Sequence, residues 1–432
     1  MAMNIYEAYK DSGIDWLGEI PSHWEVKPGF TVLKERKEKN KGMISSNVLS
    51  LSYGKIIEKP VEKLTGLVPE NFETYQLVYE GDIIFRPTDL QNDKVSLRTG
   101  LSGFKGIITS AYINLQPINN SVSKFIHYYL HTTDTNKVIY GLGSGLRQNI
   151  SFLDFKRFAF ALPPLHEQEA IAQFLDEKCA KIDDLVAIKN QQIEKLKELR
   201  QVKIHQAVTK GLDTSVELKD SGIDWIGEIP KHWEVTNFKR ILIGIKDGTH
   251  GTHQRVSNGN LLLSAKNIHN NGIRISGDES MIPDKDFIEI TKNGYPKKND
   301  LLITCVGTIG RTYVYDLDYP IAFQRSVAFL RFNSIKGIPN YFKFYIESPY
   351  YQFILSQLTK TSAQGGVYMG DILKSTIILP PLSEQEEIVS YLERETFKID
   401  QAIAQRQEQI EMLKAYKQSL INEVVTGKLK VA

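Results

Sequence analysis

DSGIDWLGEIPSHWEV occupies residues 11–26, and DSGIDWIGEIPKHWEV occupies residues 220–235. The offset is 209, and only Leu17/Ile226 and Ser22/Lys231 differ. A second pair, LPPLHEQEAI at 162–171 and LPPLSEQEEI at 379–388, recurs at an offset of 217. Two such pairs make the chain two copies of one plan: a Trp-containing segment, a globular region, a Pro-Pro turn and a long helix. All four tryptophans, Trp16, Trp24, Trp225 and Trp233, lie in the first pair. They are expected either to pack a core or to present a docking surface. Their repetition in both copies favours docking of two identical partners.

Each Pro-Pro turn breaks a strand and lets a helix begin just after it. Ser383 with Glu386 fits a capping box, and His166 takes the cap position in the first copy with Glu169 retained. Isoleucine then recurs every eleven residues, at 171, 182, 193 and 204 and at 388, 399, 410 and 421. Eleven residues are close to three helical turns, so each set lies on one face. Leu175, Val186 and Leu196 widen the first stripe, and Leu392, Ile403 and Leu413 the second. Helices of roughly forty residues, about 60 Å long, cannot bury such stripes alone. If the ends of the second globular region lie close together, the second helix starts where the first stops, and the two pair antiparallel.

The globular regions, 27–161 and 236–378, show short alternating runs bounded by turn signals: GDIIFRP at 81–87, GIITSAYINLQP at 106–117 and DLLITCVGTIGRTYVYD at 300–316. Helical patterns near 122–133 and 340–358 make each region mixed. The expected class is α+β: two mixed α/β globular domains separated by two long antiparallel helices in a coiled-coil spacer, a pseudo-twofold tandem repeat. The segments are 1–26, 27–161, the helix within 162–212, the repeated Trp segment 213–235, 236–378, and the helix within 379–432.

The net charge is +2, yet each globular region carries an excess of six basic over acidic residues. That localised excess points to DNA. Base edges in the major groove are read by Arg, Lys, Asn and Gln. The first region offers Arg86, Thr88, Gln91, Asn92, Lys94 and Arg98 in one stretch, with Arg147 and Gln148 in GLGSGLRQN. The second offers His250 and Arg255 in DGTHGTHQR, Lys266 and Asn267, then Arg311, Gln324, Arg325 and Gln364.

Catalytic signatures are missing. The sequence has no P-loop and no Asn-Pro-Pro-Tyr or Asp-Pro-Pro-Tyr element for gripping a flipped base. GLGSG at 141–145 lacks a downstream acidic partner. Asp284, Glu289 and Lys292 miss the spacing of a metal nuclease, and nine scattered histidines, His250 and His253 included, lack zinc-ligand spacing. No catalytic residue, metal or cofactor is therefore expected. Cys179 and Cys305 are expected as free thiols in a reducing compartment. With no signal peptide and no apolar run of about 18 residues, a cytoplasmic, membrane-free protein is expected.

YKDSGIDWLGEIPSHWEV, PPLHEQEAIAQFLDEKCAKID and PPLSEQEEIVSYLERETFKID resemble the hallmark regions of the specificity subunits of type I restriction–modification enzymes. GDIIFRPTDLQND and LLITCVGTIGR resemble segments of that family's target recognition domains. The resemblance spans nearly the whole chain. It implies a non-catalytic, sequence-specific subunit whose two recognition domains each read half of an asymmetric, split site in double-stranded DNA. It also implies two modification subunits that methylate adenine and motor-nuclease subunits that translocate and cleave. The competing reading is a self-contained DNA methyltransferase or nuclease.

Overall fold

The computed structural model describes residues 5–60, 71–88, 90, 97–119, 121–141, 149–224, 226–292, 294–359 and 365–431. The chain divides into two units, Met1–Lys189 with Glu408–Ala432, and Asn190–Gln407. Each unit holds one globular region and parts of both long helices.

In the first unit the repeated segment folds as a hairpin, Tyr9–Asp11 against Glu19–Pro21. It then gives an incoming strand, Glu25–Pro28, which pairs antiparallel with the outgoing strand Ala159–Leu162. The globular region thus begins and ends on neighbouring strands. Between them lies an antiparallel four-stranded sheet in the spatial order Leu33–Glu35, Ile113–Pro117, Ile83–Phe85, Thr99–Leu101. The helix Ser123–Thr135 buries Phe125, Ile126, Tyr129 and Leu130 in the same core as Ile83, Phe85 and Leu115 of this sheet. A smaller core lies beneath the hairpin Leu49–Ser52 and Lys55–Glu58.

The second unit repeats this frame. Leu218–Asp220 pairs with Glu228–Pro230, and the incoming Glu234–Asn237 pairs with the outgoing Thr376–Leu379. Its four-stranded sheet has the equivalent order, Leu242–Asp247, Val327–Phe332, Leu301–Thr304, Thr312–Val314. The decoration differs. Here Asn260–Leu263 pairs antiparallel with Met281–Ile282 and parallel with Ala322–Phe323, followed by the helix Asp284–Lys292. The helical pattern over 340–358 is two helices, Pro339–Glu347 and Pro349–Leu358. Pro349 cannot donate to the preceding turn, and the Ser348 hydroxyl accepts the Tyr351 N–H to begin the second. The chain is accordingly α+β, a tandem repeat with one long helix per copy.

The long helices span Leu165–Lys210 and Leu382–Val425. All eight isoleucines of the two eleven-residue series are buried. The capping expectation needs correction. His166 and Ser383 already lie inside the first turn, and the first helical N–H groups donate to proline carbonyls, Glu167 and Gln168 to Pro164 and Gln385 to Pro381. The motif glutamines provide further ties. The Gln168 side chain donates to the Pro163 carbonyl and accepts from the Val122 N–H, and Gln385 does the same with Pro380 and Ile338. In the second unit Arg200 pairs with Asp400 and Lys203 with Glu395, so the helix segments run antiparallel there.

Trp24 and Trp233 are fully buried. The Trp24 indole donates to Glu167, at the start of the first long helix, at 3.1 Å. The Trp233 indole donates to Glu384, at the start of the second, at 2.9 Å. His23 and His232 bond the same two carboxylates. Each indole also meets the end of the opposite helix. Gly427 (φ 73°) and Gly211 (φ 74°) adopt the left-handed conformation that closes a helix, and a Cβ there would lie 3.3 Å from Trp24 and 3.2 Å from Trp233. In the first unit this places the end of the second helix beside the start of the first, while Lys417 reaches Asp183 further along. The pairing is antiparallel there as well.

These positions revise the docking expectation for two tryptophans. Trp24 and Trp233 are core residues, Trp16 is half-buried with its ring edge-on to Tyr129, and Trp225 lies outside the described residues. Glu167→Ala would strand a buried indole N–H, at a cost of about 1–3 kcal/mol. Its thermal unfolding midpoint should drop by a few degrees, and Glu384→Ala should mirror the effect in the second unit. Unchanged midpoints would show that these bonds do not hold the helix ends.

His127 lies on the helix Ser123–Thr135 with its Nε2 sealed from solvent and unpartnered. Burial, with His131 nearby, depresses its pKa to about 4. An unfolded histidine titrates near 6.5. Below that value the unfolded chain takes up a proton that the folded chain resists, so stability falls as pH drops from about 6.5 toward 4. Urea unfolding at pH 7 and pH 5 should show this loss, and His127→Gln should reduce it.

Candidate nucleic-acid interface

In the first region the candidate residues fall between the strand ends Phe85 and Thr99. Arg98 is fully buried. Its guanidinium donates to the carbonyls of Thr88 at 2.7 Å and Arg86 at 3.3 Å, and to the Tyr140 hydroxyl at 3.1 Å. Its backbone N–H donates to Asp134. Arg98 therefore positions the loop and is not placed to read DNA, a correction to its expected role. Charge alone does not distinguish a guanidinium that organises carbonyls from one that faces solvent.

Thr88 is exposed and Arg86 half-buried. The Ile150 N–H donates to the Pro87 carbonyl, which draws the chain following GLGSGLRQN to the same place. Asn149 is exposed beside it. Gln91, Asn92, Lys94, Arg147 and Gln148 lie outside the described residues.

In the second region three sequence-distant stretches converge. Thr249 forms a parallel bridge with Gln324, the Arg325 N–H donates to the Thr249 carbonyl, and the Ala265 N–H donates to the Ser326 hydroxyl. His250, Arg255, Lys266 and Arg325 are exposed, and Gln324 is half-buried. Asn267 is buried, capping the turn at Ser264 and bonding Glu279 and the Arg274 carbonyl. It shapes the loop, so its assignment as a base reader is also corrected. Lys266 pairs with Glu279 at 3.1 Å. Burial opposes ionisation of Glu279, but bonds from Lys266, Asn267 and Ser276 hold its carboxyl below the ordinary range. Gln364 lies outside the described residues.

A cavity of about 370 Å³ opens at this convergence, lined by Asp247, His250, Arg325 and Tyr368 among others. Asp247 bonds His250 at 2.7 Å, and Tyr368 is largely exposed. Sequence reasoning missed Asp247 and Tyr368, because a strand-terminal acid and an isolated tyrosine carry no spacing signal. Arg311 lines a different cavity with Arg200, His269 and Lys343, and donates to the Ile268 carbonyl at 3.4 Å. His253 is held between Thr249 and Asp286. Among the described residues, no three His, Cys, Asp or Glu side chains are grouped to hold a metal. Cys179 and Cys305 are free and buried, and burial pushes the Cys305 thiol up to about 12. Among the described residues, no helix is long and apolar enough to cross a membrane.

Two copies of one frame, each displaying a distinct polar loop cluster, define a tandem specificity protein. The model of the type I restriction modification DNA specificity domain matches residues 24–198 and 255–412, and the chain belongs to that family. It is 25% identical over 438 residues, covering 96% of both chains, to the putative type I restriction enzyme MjaX specificity subunit of Methanocaldococcus jannaschii. It is 23% identical to the EcoKI specificity subunit of Escherichia coli K12, covering 87% of this chain and 83% of that one. Among solved structures, a chain from a study of type I R-M complex assembly and conformational transition aligns at a TM-score of 0.68, with 16% identity and 94% and 98% coverage. The HsdS subunit from Thermoanaerobacter tengcongensis aligns at 0.51, with 17% identity and 95% and 98% coverage.

The two arginine placements separate by experiment. Arg98→Ala should cost about 1–3 kcal/mol of stability by leaving loop carbonyls unpaired. Arg325→Ala, at an exposed position, should stay within about 0.5 kcal/mol while weakening DNA binding. Chemical denaturation beside a gel-shift titration reads both, and equal stabilities would contradict the assignment of Arg98.

Proposed function

We propose that this chain is the DNA specificity subunit of a type I restriction–modification assembly. Each globular region reads one part of a two-part target in double-stranded DNA. Separate modification subunits, two per chain, transfer the methyl group, and motor-nuclease subunits act on unmodified DNA. One observation carries the reading: the two family matches fall on two copies of the same frame, and the copies differ in the loops where exposed polar and basic side chains collect. Like frames suit like partners, and unlike loops suit unlike half-sites. The base-reading candidates are Thr88, Arg86 and Asn149 with the loop residues Gln91, Asn92, Lys94, Arg147 and Gln148 in one half. In the other they are His250, Arg255, Lys266, Gln324, Arg325 and Tyr368, with Arg311 from a separate cavity and Gln364 as further candidates. A self-contained methyltransferase would need its own base-gripping motif, which the sequence lacks.

Genome-wide adenine methylation mapping in cells that express the chain with its modification partner should return one asymmetric bipartite motif with a constant spacer. Arg325→Ala should relax one half of the motif by roughly 1–3 kcal/mol at the base it reads and leave the other half intact. Methyl transfer by the purified chain alone, or methylation without a defined motif, would overturn the proposal.

A further inference from the structure

Among the described residues, five non-glycine positions adopt a positive φ, and Tyr53 is the aromatic one. It stands at the tip of the two-residue hairpin joining Leu49–Ser52 to Lys55–Glu58. Tyr53 and Gly54 have φ values of 46° and 76°. A turn with positive φ at both central residues suits strand twist, and folding favours Asn or Asp before the Gly. A bulky ring there is the costlier choice. Burial does not repay that cost, because Tyr53 is 93% exposed.

The hairpin is packed on its inner face and at its tip. One face of the hairpin carries Leu49 and Ile56 into a core with Val78, Ile84 and Ile108. The hairpin lies over Thr99–Leu101, where a Cβ on Gly100 would come within 2.7 Å of Leu51 and 3.0 Å of Ile56. At the tip, a Cβ on Gly54 would sit 2.9 Å from the Leu97 side chain. Leu97 immediately precedes Arg98, the residue that ties down Arg86 and Thr88. The exposed ring therefore stands on a tip that packs against Leu97, next in sequence to Arg98, with exposed Lys55 following in sequence and exposed Ile57 further along the outward face. An amphipathic ring on a packed hairpin, flanked by a cation, suits a polyanion whose bases have apolar faces.

We propose that Tyr53 is a wedge that inserts into the DNA of the first half-site and stacks on a base at a partly unstacked step. This rests on the DNA-reading function proposed above and adds to it a residue of another kind: one that reads how readily a base step opens, not its hydrogen-bonding edge. Among the described residues of the second region, the non-glycine residue with positive φ is Asn299, which tolerates it, so the effect belongs to one half of the target.

The test uses the full chain with its modification partner and a duplex carrying the mapped motif, with 2-aminopurine placed stepwise through the first half-site. Tyr53→Asn should leave the thermal midpoint unchanged or raised, since Asn suits the turn, yet weaken binding roughly 5- to 150-fold, the range expected for a lost base–aromatic stack. Tyr53→Phe should bind within about twofold of the parent, because the stacking face remains. The parent and Tyr53→Phe should raise 2-aminopurine fluorescence at one step, and Tyr53→Asn should not. Undiminished binding by Tyr53→Asn would overturn the wedge, and so would weakened binding with no fluorescent step in the parent. If the parent complex methylates no defined motif, the proposed function fails and the wedge, which rests on it, falls with it.

Discussion

The frame of each unit depends on one hydrogen bond, between a carboxylate in the first turn of a long helix and the indole of a buried tryptophan. A carboxylate at a helix start is favoured by the unpaired N–H groups there, but burying it requires donors. Trp24 and His23 supply them to Glu167, and Trp233 and His232 supply them to Glu384. A side chain at Gly427 or Gly211 would crowd the same indoles where the other helix ends, and at Gly427 it would also collide with Pro21. Three pieces far apart in sequence are thereby fixed at one point: the Trp segment, the start of one long helix and the close of the other. The motif glutamines Gln168 and Gln385 extend the junction into each globular region.

Because that junction is spelled almost identically twice, the loops above it are free to differ. The two sheets share their strand order, yet one carries a hairpin over its edge strand Thr99–Leu101 and the other a parallel pair and an extra helix. The shared frame sets where the loop ends emerge, and a few buried polar residues such as Arg98 and Asn267 set the paths the loops take from there. Only after both are accounted for does a set of exposed side chains remain to meet a ligand.

The features that could be read from the sequence were those with long-range regularity. The eleven-residue isoleucine series fixed the helices and their buried faces, and the paired motifs revealed the repeat. The mixed class followed from short alternating runs. Other features turned on contacts between distant residues. A tryptophan that docks a partner and one that bonds a glutamate 143 residues away look alike in a single sequence. Arg98 carries the same charge as Arg325, and only folding sends one inward and the other outward. Ser383 matched a cap by spacing, but the preceding proline carbonyl had already begun the helix. Asp247 and Tyr368 became neighbours through a cavity whose walls come from one strand end, several connecting segments and the start of a short helix.

The two units are also unlike in how they close along the chain. Asn190–Gln407 is continuous in sequence, whereas the first unit needs Glu408–Ala432 to be complete. Its core joins Ile171, Leu175 and Ile182 to Leu420, Ile421, Val424 and Val425. On a ribosome adding roughly 5–20 residues per second, the earlier isoleucines emerge on the order of tens of seconds before their partners. The second unit can be complete while the first still shows an uncovered apolar stripe. During that interval the stripe is open to the wrong match, including the same stretch of a neighbouring nascent chain. The order of synthesis thus makes the half of the protein that is translated first the last to become whole.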